Sequence, residues 1–166
     1  MAIADMFLPE FDQEMATTRR VLERVPDGKG EWKPHPKSFS LAHLAQLNSW
    51  IPSWITGTLR DTTMDLSEAP PYSIETTKTI LSQFDSNVRD ARAALTATSD
   101  ANFQSTWSLG RDGTVFFSMP RVAAVRLHIN HLIHHRGQLS VYLRLLDVPV
   151  PSIYGPTADE PWTGNM

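Results

Sequence analysis

Two histidines in one apolar segment have the spacing of a metal site. His131 and His135 are four residues apart in the stretch LHINHLIHHRGQL, residues 127–139. At about 100° per residue of α-helix they lie on one face, with Cβ atoms about 6 Å apart. Two imidazoles at that spacing can bind one ion, each at about 2.0–2.1 Å. The pair therefore predicts a shared divalent metal, the alternative being that both rings are simply packed against the protein.

A third histidine lies on another segment with helical periodicity. His43 falls on the inward side of that segment, beside Leu44 and Leu47, so its ring could meet the other two. The chain has no cysteine, and any metal site must therefore use His, Asp or Glu. The metalloprotease pattern His-Glu-x-x-His is absent, because Leu132 follows His131.

The other residues of the 127–139 stretch allow several interpretations. His128 lies near the flank of the pair, and His134 is expected to face solvent. Arg136 either pairs with an acidic side chain or is a solvated helix charge. Gly137 is unfavourable in a helix by about 1 kcal/mol relative to alanine, and we expect it to allow the close approach of a backbone or ligand.

Four segments with a helical apolar period would position these residues. They cover roughly residues 3–25, 41–59, 74–95 and 120–146, with Ser73 expected to cap the third, and Ser118 and Pro120 to start the fourth. Pro52 is expected to kink or end the second segment. Residues 103–117 predict a short hairpin or an ordered loop around Asp112-Gly113. The fold class predicted is all-α, a four-helix bundle forming one domain over residues 1–166.

Composition excludes several classes of protein. The 166 residues are 41% hydrophobic and 20% charged, with a net charge of -3, which is typical of a soluble globular chain and argues against a nucleic-acid partner. No apolar run approaches the roughly 20 residues that span a bilayer, so no membrane partner is expected. Neither a signal peptide nor cysteine is seen, and we expect a cytoplasmic location.

Two longer patterns identify a family. The stretch HLIHHRGQLSVYLR, residues 131–144, followed by VPVPSIYGP, residues 148–156, resembles the DinB-like (damage-inducible, YfiT-like) family. Upstream, WKPHPKSFS at residues 32–40 and the following His43-Leu44-Ala45 with Trp50 resemble that family's second-helix signature. The resemblance extends from about Trp32 to the end of the chain.

The resemblance implies both a fold and a site. It implies a four-helix bundle, commonly a homodimer, with one metal ligand from the second helix and two from the fourth. Those positions correspond here to His43, His131 and His135. The metal in relatives is zinc or nickel, and several relatives are transferases or isomerases that use bacillithiol, mycothiol or glutathione. Leu132 departs from the acidic or polar residue expected beside His131, which leaves open what surrounds the ligands.

These features lead to one hypothesis and three alternatives. Three neutral imidazoles leave an ion with an open position, and without cysteine a thiol must come from a small molecule. The leading hypothesis is a metal-dependent transferase that joins such a thiol to an electrophile in detoxification or stress response. The alternatives are a metal-dependent hydrolase, a structural metal-binding dimer with a fourth ligand such as His128, and a metal-free relative. Gln46, Gln138 and Tyr142 are the nearest polar groups that could orient a substrate.

Overall fold

The computed structural model describes residues 2–161, and within them the protein is mostly helical with one small sheet. Residue 1 and residues 162–166, the ends of the predicted domain, lie outside the described residues. The elements, in chain order, are α1 (Ile3–Leu22), α2 (Leu41–Arg60), β1 (Thr63–Asp65), α3 (Thr77–Ala97), α4 (Asp100–Gln104), β2 (Thr106–Arg111), β3 (Thr114–Pro120) and α5 (Arg121–Leu145), with a 3₁₀ turn at Leu66–Glu68.

The four long helices pack against one another around a shared apolar core. Helix α2 lies against both α3 and α5, and α1 contacts the same two helices from its own side. Phe11, Ile51 and Leu132, from three of these helices, are completely buried. The burial of such side chains drives the packing, since each contributes roughly 1.5–3 kcal/mol.

Pro52 does not end the second helix, which is one of the two effects that the sequence predicted for it. Helix α2 runs without a break from Leu41 to Arg60. An interior proline costs about 3 kcal/mol, because it removes one hydrogen bond and crowds the preceding turn. Ile51 and Ile55 are both completely buried on either side of it. Their packing offsets that loss and holds both halves of the helix in place.

Two predicted helix starts are also displaced. Thr76 caps α3, where its side chain accepts a hydrogen bond from the Thr79 backbone N–H. Ser73, the predicted cap, is instead bonded to Gln46 on α2, whose amide oxygen accepts from the Ser73 backbone N–H at 2.8 Å. Helix α5 begins only at Arg121, because the residues before it belong to β3.

The predicted hairpin between the last two long helices is confirmed, but it belongs to a sheet that makes the all-α prediction wrong. Strands β2 and β3 are antiparallel and joined by Asp112 and Gly113, whose φ angles of 50° and 78° suit a two-residue hairpin turn. Strand β1 pairs with β2 in parallel, in the order β1-β2-β3. The sequence does not indicate β1, because three residues are too few to show a strand pattern.

The segment after α5 packs along the helices. Asp159 and Glu160 form ion pairs with Arg144 on α5 and Arg20 on α1, respectively. The Tyr154 hydroxyl bonds to Arg136 and Glu14, at 2.8 Å each. Between residues 2 and 161, no helix is both long and apolar enough to cross a bilayer.

Candidate metal centre

Helix α5 brings His131 and His135 into direct contact, as their spacing predicted. Their Nε2 atoms are 2.7 Å apart, and their ring centroids are 4.5 Å apart. Two nitrogens bound to one tetrahedral ion at about 2.0–2.1 Å lie about 3.4 Å from each other. A small side-chain rotation would therefore suffice for both Nε2 atoms to bind the same ion.

Gln138 sets the tautomer of His135. The Nδ1 atom of His135 lies 2.8 Å from the Gln138 amide oxygen, which can only accept, so Nδ1–H donates. The other ring nitrogen, Nε2, then carries no hydrogen and accepts from the His131 Nε2–H. This is the form in which an imidazole binds a metal, with its second nitrogen held by an acceptor. The sequence had suggested Gln138 as a group that orients a substrate.

His43 lies in the first turn of helix α2 and is held between two aromatic rings. Its backbone N–H donates to Ser40, the N-cap residue, at 3.2 Å. The imidazole stacks on Phe39, with centroids 4.1 Å apart, and on Tyr72, at 3.6 Å. The Phe39 ring also lies 6.2 Å from the ring of His135. His43 and His135 therefore border the same aromatic side chain.

The three predicted ligands do not already form a metal-binding cluster. Within residues 2–161, no group of three or more His, Cys, Asp or Glu side chains is arranged to hold an ion. The structure joins His131 to His135, and it places His43 beside Phe39 rather than in contact with the pair. The donor set nevertheless suits zinc or nickel, because both ions accept imidazole nitrogen. The ligand set of His43, His131 and His135 stays a prediction.

All three histidines are held in the neutral form. Burial, followed by the nearby His135, lowers the pKa of His131 to about 4. Burial is also the main cause that lowers the pKa of His135 and of His43. A neutral imidazole is the form a metal requires, since a protonated ring has no lone pair to donate.

His128 and His134 do not take part in the pair. The His128 Nε2 atom lies 3.0 Å from the Thr58 hydroxyl, and its ring packs edge-on against Trp107 at 5.5 Å. His134 is exposed, as predicted. Tyr142 supports the site from a distance, because its hydroxyl donates to the Phe39 carbonyl at 3.1 Å.

The two residues that follow His135 have different surroundings. Arg136 is completely buried and forms an ion pair with Glu14 at 2.6 Å, which settles its two interpretations in favour of an acidic partner. No other part of the protein approaches Gly137 closely, because a Cβ placed there would meet nothing within 4 Å. The approach of a ligand to Gly137 stays a prediction.

Sequence reasoning missed the aromatic residues around His43. Tyr72 lies in a proline-bearing connection before α3, where no periodic pattern indicated a role. Phe39 was noted only within the family signature. Tyr72 reaches His43 through tertiary packing, whereas Phe39 precedes it by only four residues, and together they fix the plane of its ring.

Known proteins resemble this chain at the level of family, sequence and fold. The sequence model of the DinB family matches residues 2–163. The uncharacterized protein YrdA of Bacillus subtilis (strain 168) is 25% identical over 160 residues, 94% of this chain and 90% of YrdA. A DinB-like protein from Bacillus cereus has a TM-score of 0.70 at 24% identity, over 89% of this chain and 95% of its own. The DinB-like protein YjoA from Bacillus subtilis has a TM-score of 0.70 at 17% identity, over 89% and 96%. At these identities the two solved structures indicate likeness of fold.

Proposed function

Because the chain belongs to the DinB family, we propose that it binds a divalent metal, zinc or nickel, through His43, His131 and His135 and activates a small-molecule thiol. The observation that most supports the proposal is the convergence of the His131 and His135 Nε2 atoms at 2.7 Å. At that distance one Nε2 atom donates its hydrogen to the other, and an ion bound between the two rings would take the place of that proton.

The chain's own residues prepare the ligands. Gln138 holds His135 in the tautomer whose Nε2 carries no hydrogen. Phe39 and Tyr72 stack on both faces of the His43 ring. His43 would complete the set by moving from this stack toward the pair. When bound by three neutral ligands, the ion supplies its full charge and an open position, which favours the thiolate form of a thiol.

The proposed reaction joins a thiol to an electrophile. The sulphur forms a bond to an electrophilic carbon, the leaving group departs with the bonding electron pair, and the thiol proton goes to solvent. The thiol is a bacillithiol, mycothiol or glutathione type of compound, since the chain has no cysteine. We place the reaction in detoxification or stress response.

A structural metal site needs a fourth protein ligand, and His128 was the candidate on this chain. Its Nε2 atom is bonded to Thr58 instead. That contact favours a site with an open position over a closed one. A hydrolase would use the same open position for water. The reaction product distinguishes the two enzymes, because a hydrolase adds water to the substrate and a transferase adds the thiol.

The first experiment measures the metal. Untagged wild-type protein should carry about one zinc or nickel ion per chain by mass spectrometry of the digested protein. The variants His43→Ala and His131→Ala should lose it. His35→Ala is the matched control, because His35 is an exposed histidine outside the proposed ligand set. Equal metal content in His43→Ala and wild type would remove His43 from the site.

The second experiment measures the reaction. Metal-loaded protein is incubated with each of the three thiols and an electrophile, and thiol consumption is followed against the His131→Ala variant. Consumption that depends on His131 supports the transferase. Full metal loading with no consumption of any thiol contradicts the transferase and leaves a metal-binding protein.

A further inference from the structure

A cavity of about 510 Å³ lies beside the histidine pair and is not explained by the proposed metal site. His131 borders both, since its ring contacts His135 on one side and lines the cavity on the other. Cavities that bind small molecules usually measure about 300–1,000 Å³. The volume is therefore sufficient for a compound with one or two rings.

The walls of this cavity are apolar and aromatic. They include Trp54 from α2, Met64 from β1, Trp107 from β2 and Leu127 from α5. The Trp54 ring lies 5.5 Å from that of His131. Indole walls favour aromatic ligands, which pack against them in offset or edge-to-face geometry.

No charged partner is available inside. None of the residues that line the cavity is Asp, Glu, Lys or Arg. A charged group placed against these walls would lose its hydration without gaining an ion pair from them, which is strongly unfavourable. The cavity therefore selects for neutral compounds.

The small sheet gives the cavity one of its walls. Trp107 is completely buried and packs edge-on against His128. Met64 is brought there because β1 pairs with β2, where it lies opposite Leu109. The sheet thus closes a side that the helices alone would leave open.

We propose that this cavity binds the neutral aromatic body of a small molecule and holds it next to His131. The statement that this small molecule is the electrophile of the thiol transfer rests on the proposed function, whereas its binding in the cavity does not. The electrophile class is then an uncharged aromatic compound.

The test uses two probes that share one ring system. N-phenyl-1-naphthylamine is neutral and becomes fluorescent in apolar sites, and 8-anilinonaphthalene-1-sulfonate adds a negative charge. Wild-type full-length protein should bind the neutral probe at least tenfold more tightly. Equal or tighter binding of the sulfonate would overturn the proposal.

Variants at Leu127 locate the binding. Leu127 lines the cavity and is 40% exposed, so changes there should leave the fold intact. Leu127→Asp introduces a charge and Leu127→Trp fills space, and each should weaken binding of the neutral probe at least tenfold. Val141→Asp is the matched control, since Val141 is a 56% exposed residue of the same helix outside the cavity. Unchanged binding in both Leu127 variants, or an equal loss in Val141→Asp, would refute the cavity as the site.

The outcomes separate the two proposals. Metal content and far-ultraviolet circular dichroism of Leu127→Asp should match wild type. Selective loss of probe binding without thiol consumption in any sample supports the cavity and contradicts the transferase. Thiol consumption with no preference for the neutral probe supports the transferase and contradicts the cavity.

Discussion

Replacing Glu14 by glutamine should strongly destabilise the fold, because it leaves a buried arginine without its counter-charge. Arg136 and Glu14 are 1% and 7% exposed in their side chains and 2.6 Å apart. Arg136 also donates to the Tyr154 hydroxyl at 2.8 Å. Glutamine keeps the shape of the side chain and an oxygen that accepts from Tyr154. The substitution therefore removes the charge and places an NH2 donor where Oε2 faces Arg136.

The magnitude follows from that burial. Removing one partner of a buried ion pair costs about 3–5 kcal/mol, because the remaining charge is neither paired nor hydrated. With a urea dependence of about 2 kcal/mol per molar, the unfolding midpoint should fall by about 2 M. The matched control is Glu10→Gln, also on α1. Glu10 forms an ion pair with Arg126, and the two side chains are 35% and 42% exposed, respectively. Exposed pairs contribute about 0–1 kcal/mol, so its midpoint should move by less than about 0.5 M.

The assay is urea unfolding followed by circular dichroism, with the slope compared among variants. A double variant Glu14→Leu with Arg136→Met should recover much of the lost stability, since no unpaired charge remains. The reasoning is refuted if Glu14→Gln shifts the midpoint no more than Glu10→Gln does. It is equally refuted if the double variant is less stable than Glu14→Gln alone.

Three further predictions concern α5. Replacing Gln138 by leucine removes the acceptor that holds the His135 tautomer. Metal affinity, measured by a competition titration with a chelator, should fall about 10–100-fold. Unchanged affinity would show that the contact between Gln138 and His135 does not contribute to metal binding. Burial lowers the pKa of His128 to about 4. As the pH falls below about 6.5, the histidine is therefore protonated in the unfolded state before it is protonated in the folded state. The unfolding free energy should decrease between pH 6.5 and 4 by about 3 kcal/mol, at about 1.4 kcal/mol per pKa unit. His128→Gln should flatten that part of the stability profile relative to wild type, and an identical slope would contradict the assignment. Gly137→Ala meets open space and should raise the thermal unfolding midpoint, corresponding to about 0.5–1 kcal/mol; a lower midpoint would mean that the glycine has a role the fold does not reveal.

Much of the helical framework follows from the sequence because its signals are local. The apolar period of the four long segments reflects which side of each helix is buried, and this holds wherever the helix packs. The contact between His131 and His135 is equally local, since four residues make about one helical turn. The hairpin turn at Asp112-Gly113 depends on two residues that tolerate positive φ angles. Each of these features needs only a few neighbouring residues.

Other features depended on residues that are distant in the chain. Strand β1 forms only because Thr63–Asp65 meets Ser108–Gly110, some 45 residues later. Ser73 and Pro52 carried local signals, for a cap and for a break, that tertiary contacts overrode. Contacts of this kind have no period in the sequence, so pattern reasoning cannot find them.

The candidate site also combines features that local sequence signals predict with features that only the folded chain reveals. The sequence by itself determined the contact between His131 and His135, because four residues make about one helical turn, but it did not give Gln138 its role in fixing the His135 tautomer. Only the tertiary structure decided that Tyr72 stacks on His43, and that Trp54, Met64 and Trp107 line an apolar cavity beside His131. The reason is physical: helix geometry is set by hydrogen bonds between near neighbours, whereas stacking and enclosure require several elements to have packed first.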